Sequence, residues 1–415
     1  MAGSGGIGGD TGLPGGIYPI DGTGAELPTD DLEPFGTLVG DAPLVGLGES
    51  VHTSGGYLEL KARLIRYLMS ERGFRVLAME TPRTQAKMVQ AYVASCQGTP
   101  EDALQGIFGV FASTATRDLV AWMCAYNQQH SDDPLSFVGF DAQQPWDDLP
   151  ELSAFLTAAA PSDQAALDQG LVQCDGHGYA SANDYYGSGG FDAPYTAEAF
   201  QACTAGIDAL DGYFDAHAVE LEAASSSEAL AWARVASTSL RSWQGEKYYS
   251  ASDVGASYEA RDVAMASILE HSRELLFPDA KAVVFAHNYH LTQAHTEVDE
   301  PQIGPVQTMG TVLATDFGED YRAYALIGYD VEINWPGVGY GPTGTPVPGS
   351  IEALMHGLGR PYLFADFVAP EIASFITPGA SYSFGHPGPA SLVPARQFHG
   401  AFYLELSPPM DALFW

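Results

Sequence analysis

Leu44-Val-Gly-Leu-Gly48, followed at once by Glu49-Ser-Val-His52, is the stretch on which the fold turns. Its first five residues form a short apolar run, as expected of a strand buried on both faces. Its last four deliver a carboxylate and, three residues on, an imidazole. Tyr57, Leu60, Leu64, Ile65, Leu68 and Met69 then recur at helical spacing, and Gly73 supplies the stop. Arg75 to Met79 is the next strand and ends on Glu80.

The alternation continues outward. Helices are predicted over 84–95 and 113–129, a strand over 135–140, and a helix from Asp147 to Ala160, before Pro161. A loop rich in Gly, Tyr and Asp runs from Asp175 to Pro194, and two long helices over 196–224 and 228–247 follow. Another helix, 258–276, leads to a buried strand over 282–286. Further strands are expected over 321–329, 362–368 and 401–406, with helices from about Thr308 and over 351–357. Strands alternating with helices imply an α/β fold whose central, mostly parallel sheet is wrapped by helices. We expect a flexible Gly/Pro-rich segment over 1–35 and one domain over 36–415. A helical subdomain or lid is inserted at about 147–250.

Composition narrows the function. Against 17 basic residues stand 52 acidic ones, a net charge of −35. A surface this acidic repels nucleic acid and anionic lipid, so both are discarded as partners. The acidity serves solubility or salt tolerance, or draws in a cationic substrate. No apolar run reaches the ~18 residues that membrane insertion needs. Cys96, Cys124, Cys174 and Cys203 form no Cys-x-x-Cys pair, which argues against a zinc ribbon or a thioredoxin motif. If the protein is exported, a Cys174–Cys203 disulfide closes the Gly-rich loop. Cys96–Cys124 is a candidate second bridge, and free buried thiols are the alternative. The opening Met1-Ala-Gly-Ser-Gly-Gly-Ile-Gly-Gly-Asp10 reads as a linker of the kind that follows a removed export or lipoprotein signal. The expected location is extracytoplasmic, with the cytoplasm as the alternative.

In open α/β sheets, ligands bind beyond the carboxyl ends of the strands. At successive strand exits stand Glu49 and His52, then Glu80, then Asp141 with Gln143 and Gln144, then His287, Asn288 and His290. Lys61 lies in the first turns of the helix after the first exit, Arg83 follows Glu80, and Arg261 and Asp262 open the helix before the fourth strand. A histidine held by a carboxylate is a competent general base near neutral pH. Neither a Gly-x-Ser-x-Gly elbow nor a cysteine nucleophile is evident, so water is the natural nucleophile. His287 and His290 could polarise a carbonyl or protonate a leaving alkoxide. Lys61 and Arg261 could stabilise an anion formed in the reaction.

Each residue also has an ordinary explanation. A histidine at a strand end is commonly a hydrogen-bonded structural residue, and His356, His386 and His399 are assigned no role. Asp141 could merely cap a helix or bond a loop. Lys61 and Arg261 could be structural ion-pair partners. Glu80 follows an apolar strand, so it is expected to be enclosed with a partner. No cofactor is required. A divalent metal held by Glu49, His52, Glu80, His287 and His290 is the alternative, without a His-Glu-x-x-His motif to support it.

Five segments in order resemble the erythromycin esterase family. They are Gly46-Leu-Gly-Glu-Ser-Val-His52, Gly73-Phe-Arg-Val-Leu-Ala-Met-Glu80, Val138-Gly-Phe-Asp-Ala-Gln143, Tyr258-Glu-Ala-Arg-Asp-Val-Ala-Met265 and Ala286-His-Asn-Tyr-His290. Phe398 to Leu406 is similar to the family's closing strand. The resemblance spans roughly 40–330. It implies water attack on a lactone or ester, with His52 as base and Glu49 and Glu80 shaping the site. Lys61 stands where some macrolide esterases carry Arg, and the 174–203 insertion departs from the family pattern. The family also includes members tied to polysaccharide or natural-product gene sets. The expected function is therefore a hydrolase opening a lactone or carboxylic ester of a small natural product, in antibiotic resistance or biosynthesis. The alternatives are a biosynthetic tailoring enzyme using the same site for cyclisation, elimination or acyl transfer, and a non-catalytic binder of a small molecule, haem or metal.

Overall fold

The structure is a computed structural model. It describes residues 12–190, 192–250, 253–299, 303–335, 339–376, 381–382 and 390–414. The strands are β1 (Ile17–Pro19), β2 (Leu44–Leu47), β3 (Phe74–Pro82), β4 (Ser136–Asp141), β5 (Lys281–Phe285), β6 (Tyr321–Trp335), β7 (Gly339–Pro342), β8 (Tyr362–Asp366), β9 (Ser381–Tyr382), β10 (Ala390–Ser391) and β11 (Gly400–Ser407). The main sheet runs β1-β8-β11-β6-β2-β5-β3-β4, with β7 on β6, while β9 and β10 pair apart. From β11 to β4 every neighbouring pair is parallel; β1 on β8, β8 on β11 and β7 on β6 are antiparallel. A mostly parallel sheet wrapped by helices is what the α/β alternation predicted.

The strands are apolar throughout because both faces are covered. Leu44, Val76, Val138 and Val284 point into one core. Their neighbours Val45, Leu77, Phe137 and Val283 point into the other. The helices Ser227–Ser250, Val254–Leu276 and Met309–Phe317 contribute to the first core. The helices Glu33–Val39, Gly55–Glu71, Arg83–Ser95 and Thr114–Gln129 contribute to the second. Gly73 ends the helix Gly55–Glu71 at φ 76°, a conformation glycine adopts without steric penalty.

Register sets the site. Leu47 lies opposite both Phe285 and Tyr324, Met79 opposite Phe285 and Gly139, and Pro82 opposite Asp141. The residues that follow β2, β3, β4 and β5 therefore emerge side by side at one edge.

The structure differs from the sequence reading in several places. Residues 1–11 lie outside the described residues, but the rest of the N-terminal segment read as flexible is docked. β1 pairs with β8, and Ile17, Ile20, Leu32 and Phe35 are buried. Dense Gly and Pro masked this short apolar signal, and Pro19 is tolerated because β1 is an edge strand. The helix read over 196–224 is two, Ala197–Ala216 and Ala218–Ala224, broken at His217. The helix Gln164–Gly170 was not anticipated. Nor was the 175–194 segment loose: it contains the helix Ala182–Gly187. There Tyr185 is buried, packs on Trp243, and donates to Asp175 at 2.6 Å. The insertion has its own small core, built from Leu152, Leu156, Ile207, Leu210, Phe214 and Leu240 among others. Cys174–Cys203 and Cys96–Cys124 are both disulfide-bonded, with Cα separations of 4.8 and 5.5 Å. No described helix is long and apolar enough to cross a membrane.

Candidate active site

The first exit builds a tripartite arrangement. Glu49, buried just past β2, accepts from His52 Nδ1 at 2.9 Å through one carboxylate oxygen and touches Lys61 Nζ through the other. Lys61 also donates to the Ala286 carbonyl at 2.9 Å and lies 3.6 Å from the centre of the Phe285 ring. The lysine is fully enclosed, so the anion-stabilising role considered for it gives way to holding Glu49 in place. With Nδ1–H on Glu49, the lone pair of His52 rests on Nε2, which has no hydrogen-bond partner among the described residues. The imidazole is 20% exposed. Phe111 and His287 each pack edge-on to it with centroids 5.0 Å away, and Trp335 stacks at 6.4 Å. Burial pulls His52 down to about 4; Glu80 opposes this, while the positive charges of His290 and Arg261 reinforce it. The ring is therefore neutral at ordinary pH.

The loop carrying His52 is clamped from the far end of the chain. Met410 N–H donates to the Thr53 carbonyl at 2.9 Å, Gly55 N–H to Pro408 O at 2.7 Å, and Ser54 and Ser407 hydroxyls meet at 2.7 Å. Thr53 adopts φ 65°, a costly conformation for a β-branched residue that persists only where surroundings enforce it.

The second exit supplies a hub. Glu80, 2% exposed, accepts from Arg261 Nη2 at 3.1 Å and from the His287 backbone N–H at 2.8 Å, and lies 3.4 Å from His290 Nε2. Burial alone would raise its pKa. The positive charge and hydrogen bond of His290, with the charge of Arg261, overturn this and hold the carboxyl well below its usual range. His290 also bonds Asp262 through Nδ1, at 2.9 Å. Burial opposes its charge, but Asp262 and Glu80 push the imidazole up to about 10, so it is an imidazolium. Asp262 additionally accepts from the Met309 N–H at 2.9 Å, which fixes it. Asp141 accepts from Arg261 Nη2 at 2.5 Å and from the Gln143 N–H at 2.8 Å. Arg261, 16% exposed, keeps its Nε–H without a partner among the described residues.

The structure thus brings Glu49, His52, Glu80, His287, His290, Asp141, Arg261 and Asp262 together, but redistributes their parts. His52 is oriented by Glu49 and not by Glu80. His287 accepts from the Tyr289 N–H at 3.2 Å on Nδ1, so its Nε2–H donates to the Ser50 carbonyl at 3.1 Å. Both ring nitrogens are engaged with backbone, and the expected acid role of His287 gives way to bracing the His52 loop. Asn288 is fully buried and ties the turn after β5 to β6 by donating to Leu326 O at 2.9 Å. A Cβ on Gly48 would lie 2.0 Å from its amide oxygen, which is why glycine stands there. Gln143 donates to Glu246 at 2.9 Å. Arg83 leaves the site and binds Asp148 and Glu151, tying the insertion to β3.

His356 pairs with Glu405 at the surface, His399 is a half-buried hydrogen-bonded residue, and His386 lies outside the described residues. Among the described residues no three of His, Cys, Asp and Glu converge as metal ligands do. Phe111, Trp335 and Glu246 were not anticipated. None stands at a predicted strand exit, and only the tertiary fold brings them here.

The putative hydrolase YbfO of Bacillus subtilis (strain 168) is 26% identical over 94% of this chain and 89% of its own length. A Bacillus cereus protein superposes with a TM-score of 0.80 at 19% identity, covering 96% of this chain and 97% of that one. A mutant of the erythromycin esterase EreC in its open conformation superposes with a TM-score of 0.71 at 20% identity, covering 95% and 98%. At such identities these two structures establish the shared fold. The family model described as erythromycin esterase matches residues 69–401, so the chain belongs to the erythromycin esterase family.

Proposed function

We propose that the protein hydrolyses a carboxylic ester or lactone of a small natural product by water attack, with His52 as general base. Family membership and the hydrolase relative support an esterase-like hydrolase. The observation that carries the finer reading is the Glu49–His52 pair, with Nδ1–H bound, Nε2 unengaged and the ring partly open to solvent. In the proposed step His52 Nε2 takes a proton from water as its oxygen bonds to the acyl carbon. The carbonyl oxygen becomes an oxyanion, and Glu49 stabilises the imidazolium. Arg261, 16% exposed and close enough for its charge to be felt at His52, is the cation that stabilises that oxyanion. Glu80 and Asp141 hold Arg261 and keep it charged, and Asp262 holds His290. Lys61, His287 and Asn288 support the loops.

The test is incubation with a panel of lactones and esters, read by mass spectrometry for the gain of one water. His52→Ala should lower turnover by about 10²–10⁴-fold with unchanged circular dichroism. Full activity in that variant would remove His52 from the mechanism.

A further inference from the structure

Glu246 belongs to no strand exit and to none of the ion pairs above. It sits in the helix Ser227–Ser250, 8% exposed, with one carboxyl oxygen accepting from Gln143 Nε2 at 2.9 Å. Its other oxygen, Oε2, is buried with no partner among the described residues. An orphaned carboxyl oxygen in a buried place is costly unless something else occupies it. Gln143 follows the turn of Asp141, which accepts from Arg261 Nη2 at 2.5 Å; the same nitrogen donates to Glu80 at 3.1 Å, and Glu80 holds the backbone N–H of His287, whose ring packs on His52. Arg261 is thus common to both environments, with a free N–H of its own.

Hydrolysis needs an acid as well as a base, because an alkoxide does not leave unprotonated. Apart from the His52 imidazolium, which has just taken the proton of water, the other candidates are committed. Both nitrogens of His287 are bonded to backbone, His290 is enclosed by Asp262 and Glu80, and Lys61 is fully buried on Glu49. The geometry points to Glu246 as the proton donor to the leaving oxygen, through Oε2, with Gln143 fixing its other oxygen. This assignment rests on the hydrolase reading. The acyl–oxygen bond breaks as the carboxyl proton passes to the departing oxygen. Glu246 is left a carboxylate and recovers its proton from solvent, as His52 releases the one it took from water. The products are one carboxylic acid and one alcohol, or one hydroxy acid from a lactone.

Burial pushes the Glu246 carboxyl up to about 7, with Asp141 and Asp262 adding to the rise and Arg261 and the Gln143 hydrogen bond opposing it. Tyr186, from the insertion, is the further titratable neighbour. The acid form is therefore present below pH 7.

Leaving-group dependence tests the assignment. Ethyl butyrate needs a proton on its leaving oxygen; para-nitrophenyl butyrate does not. At pH 6, Glu246→Gln should lower the ratio of ethyl to para-nitrophenyl turnover by about 10²-fold or more. Glu246→Asp, which keeps a carboxyl, should recover part of that ratio. His52→Ala should lose both esters together, which tests the underlying reading separately. The wild-type ethyl ester rate should fall as pH rises through 7, and the nitrophenyl rate should not. A folded Glu246→Gln protein with an unchanged ratio overturns the role of Glu246 while leaving His52 standing. Wild-type protein inert to both esters and to the whole panel ends the hydrolase reading and this role with it.

Discussion

Replacing Lys61 with Met separates what the buried pair does for stability from what it does for chemistry. Lys61 and Glu49 are 0% and 1% exposed and in contact; burial pulls the lysine well below its ordinary pKa, with Glu80 opposing, so each group leans on the other, and removing the amine strands the Glu49 carboxyl in the interior. Breaking such a pair from one side costs ~3–5 kcal/mol. The Ala286 carbonyl loses its donor as well, worth ~1 kcal/mol. Lys61→Met should therefore lower the urea midpoint sharply. Adding Glu49→Gln removes the stranded charge, and replacing both partners of a buried pair is often close to neutral. The double variant should thus recover most of the lost stability. It should not recover activity, because a neutral amide cannot stabilise the His52 imidazolium. Urea unfolding followed by circular dichroism, beside ester turnover, reads both quantities. A double variant no more stable than Lys61→Met would refute the ion-pair argument, and one with wild-type turnover would refute the assignment of Glu49 to His52.

The other expectations are independent. His52 is held down to about 4, so turnover of a para-nitrophenyl ester should persist at pH 5.5 and be lost only on approach to that value. A midpoint near the ordinary imidazole value of ~6.5 would contradict the buried, neutral ring. His290 is raised to about 10, so its stabilising effect is complete below the unfolded value of ~6.5 and is lost as pH rises through 10. Thermal midpoints of the wild type should decline over that window, and those of His290→Gln should not. Cys174 and Cys203 are 29 residues apart, and their bridge should contribute ~3–4 kcal/mol in the chain-entropy model. Thiol titration of denatured, unreduced protein should find no free thiol, and four would show that neither bridge forms. His356→Ala should leave turnover and stability nearly unchanged, because the side chain is 45% exposed and its charged partner, Glu405, is on the surface.

The sheet was legible because buried parallel strands announce themselves as short apolar runs, and their exits locate the cleft. Glu49, His52, Glu80, Asp141 and His287 all follow from that rule. Arg261 and Asp262 follow from the helix that precedes β5. Sequence could not decide which carboxylate faces His52, since Glu49 and Glu80 both stand at exits. Side-chain direction and the reach of Lys61 decided it. The roles of His287 and Asn288 were equally hidden, for they depend on backbone partners at Ser50 and Leu326, far away in the chain. Glu246 lies within a long helix, where a single acidic residue ordinarily faces water. Nothing local distinguishes it, and only the docking of that helix beside Arg261 encloses it.

The clamp on the His52 loop has a consequence for how the protein matures. Ser54 and Ser407 are 353 residues apart, yet their hydroxyls meet, and Pro408 and Met410 grip the adjacent backbone. During synthesis the loop is made early and its clamp late. Until β11 inserts beside β6 and brings that segment with it, the Thr53 carbonyl has only the long 3.4 Å hydrogen bond from Asn334 N–H, and its backbone conformation lacks the clamp from Met410. A nascent or partly folded chain is thus without an aligned base, whatever the state of its first strands. Catalytic competence should appear together with closure of the last parallel strand pair, so that regain of turnover on refolding reports the slowest long-range step and not the earlier collapse of β2, β3 and β5.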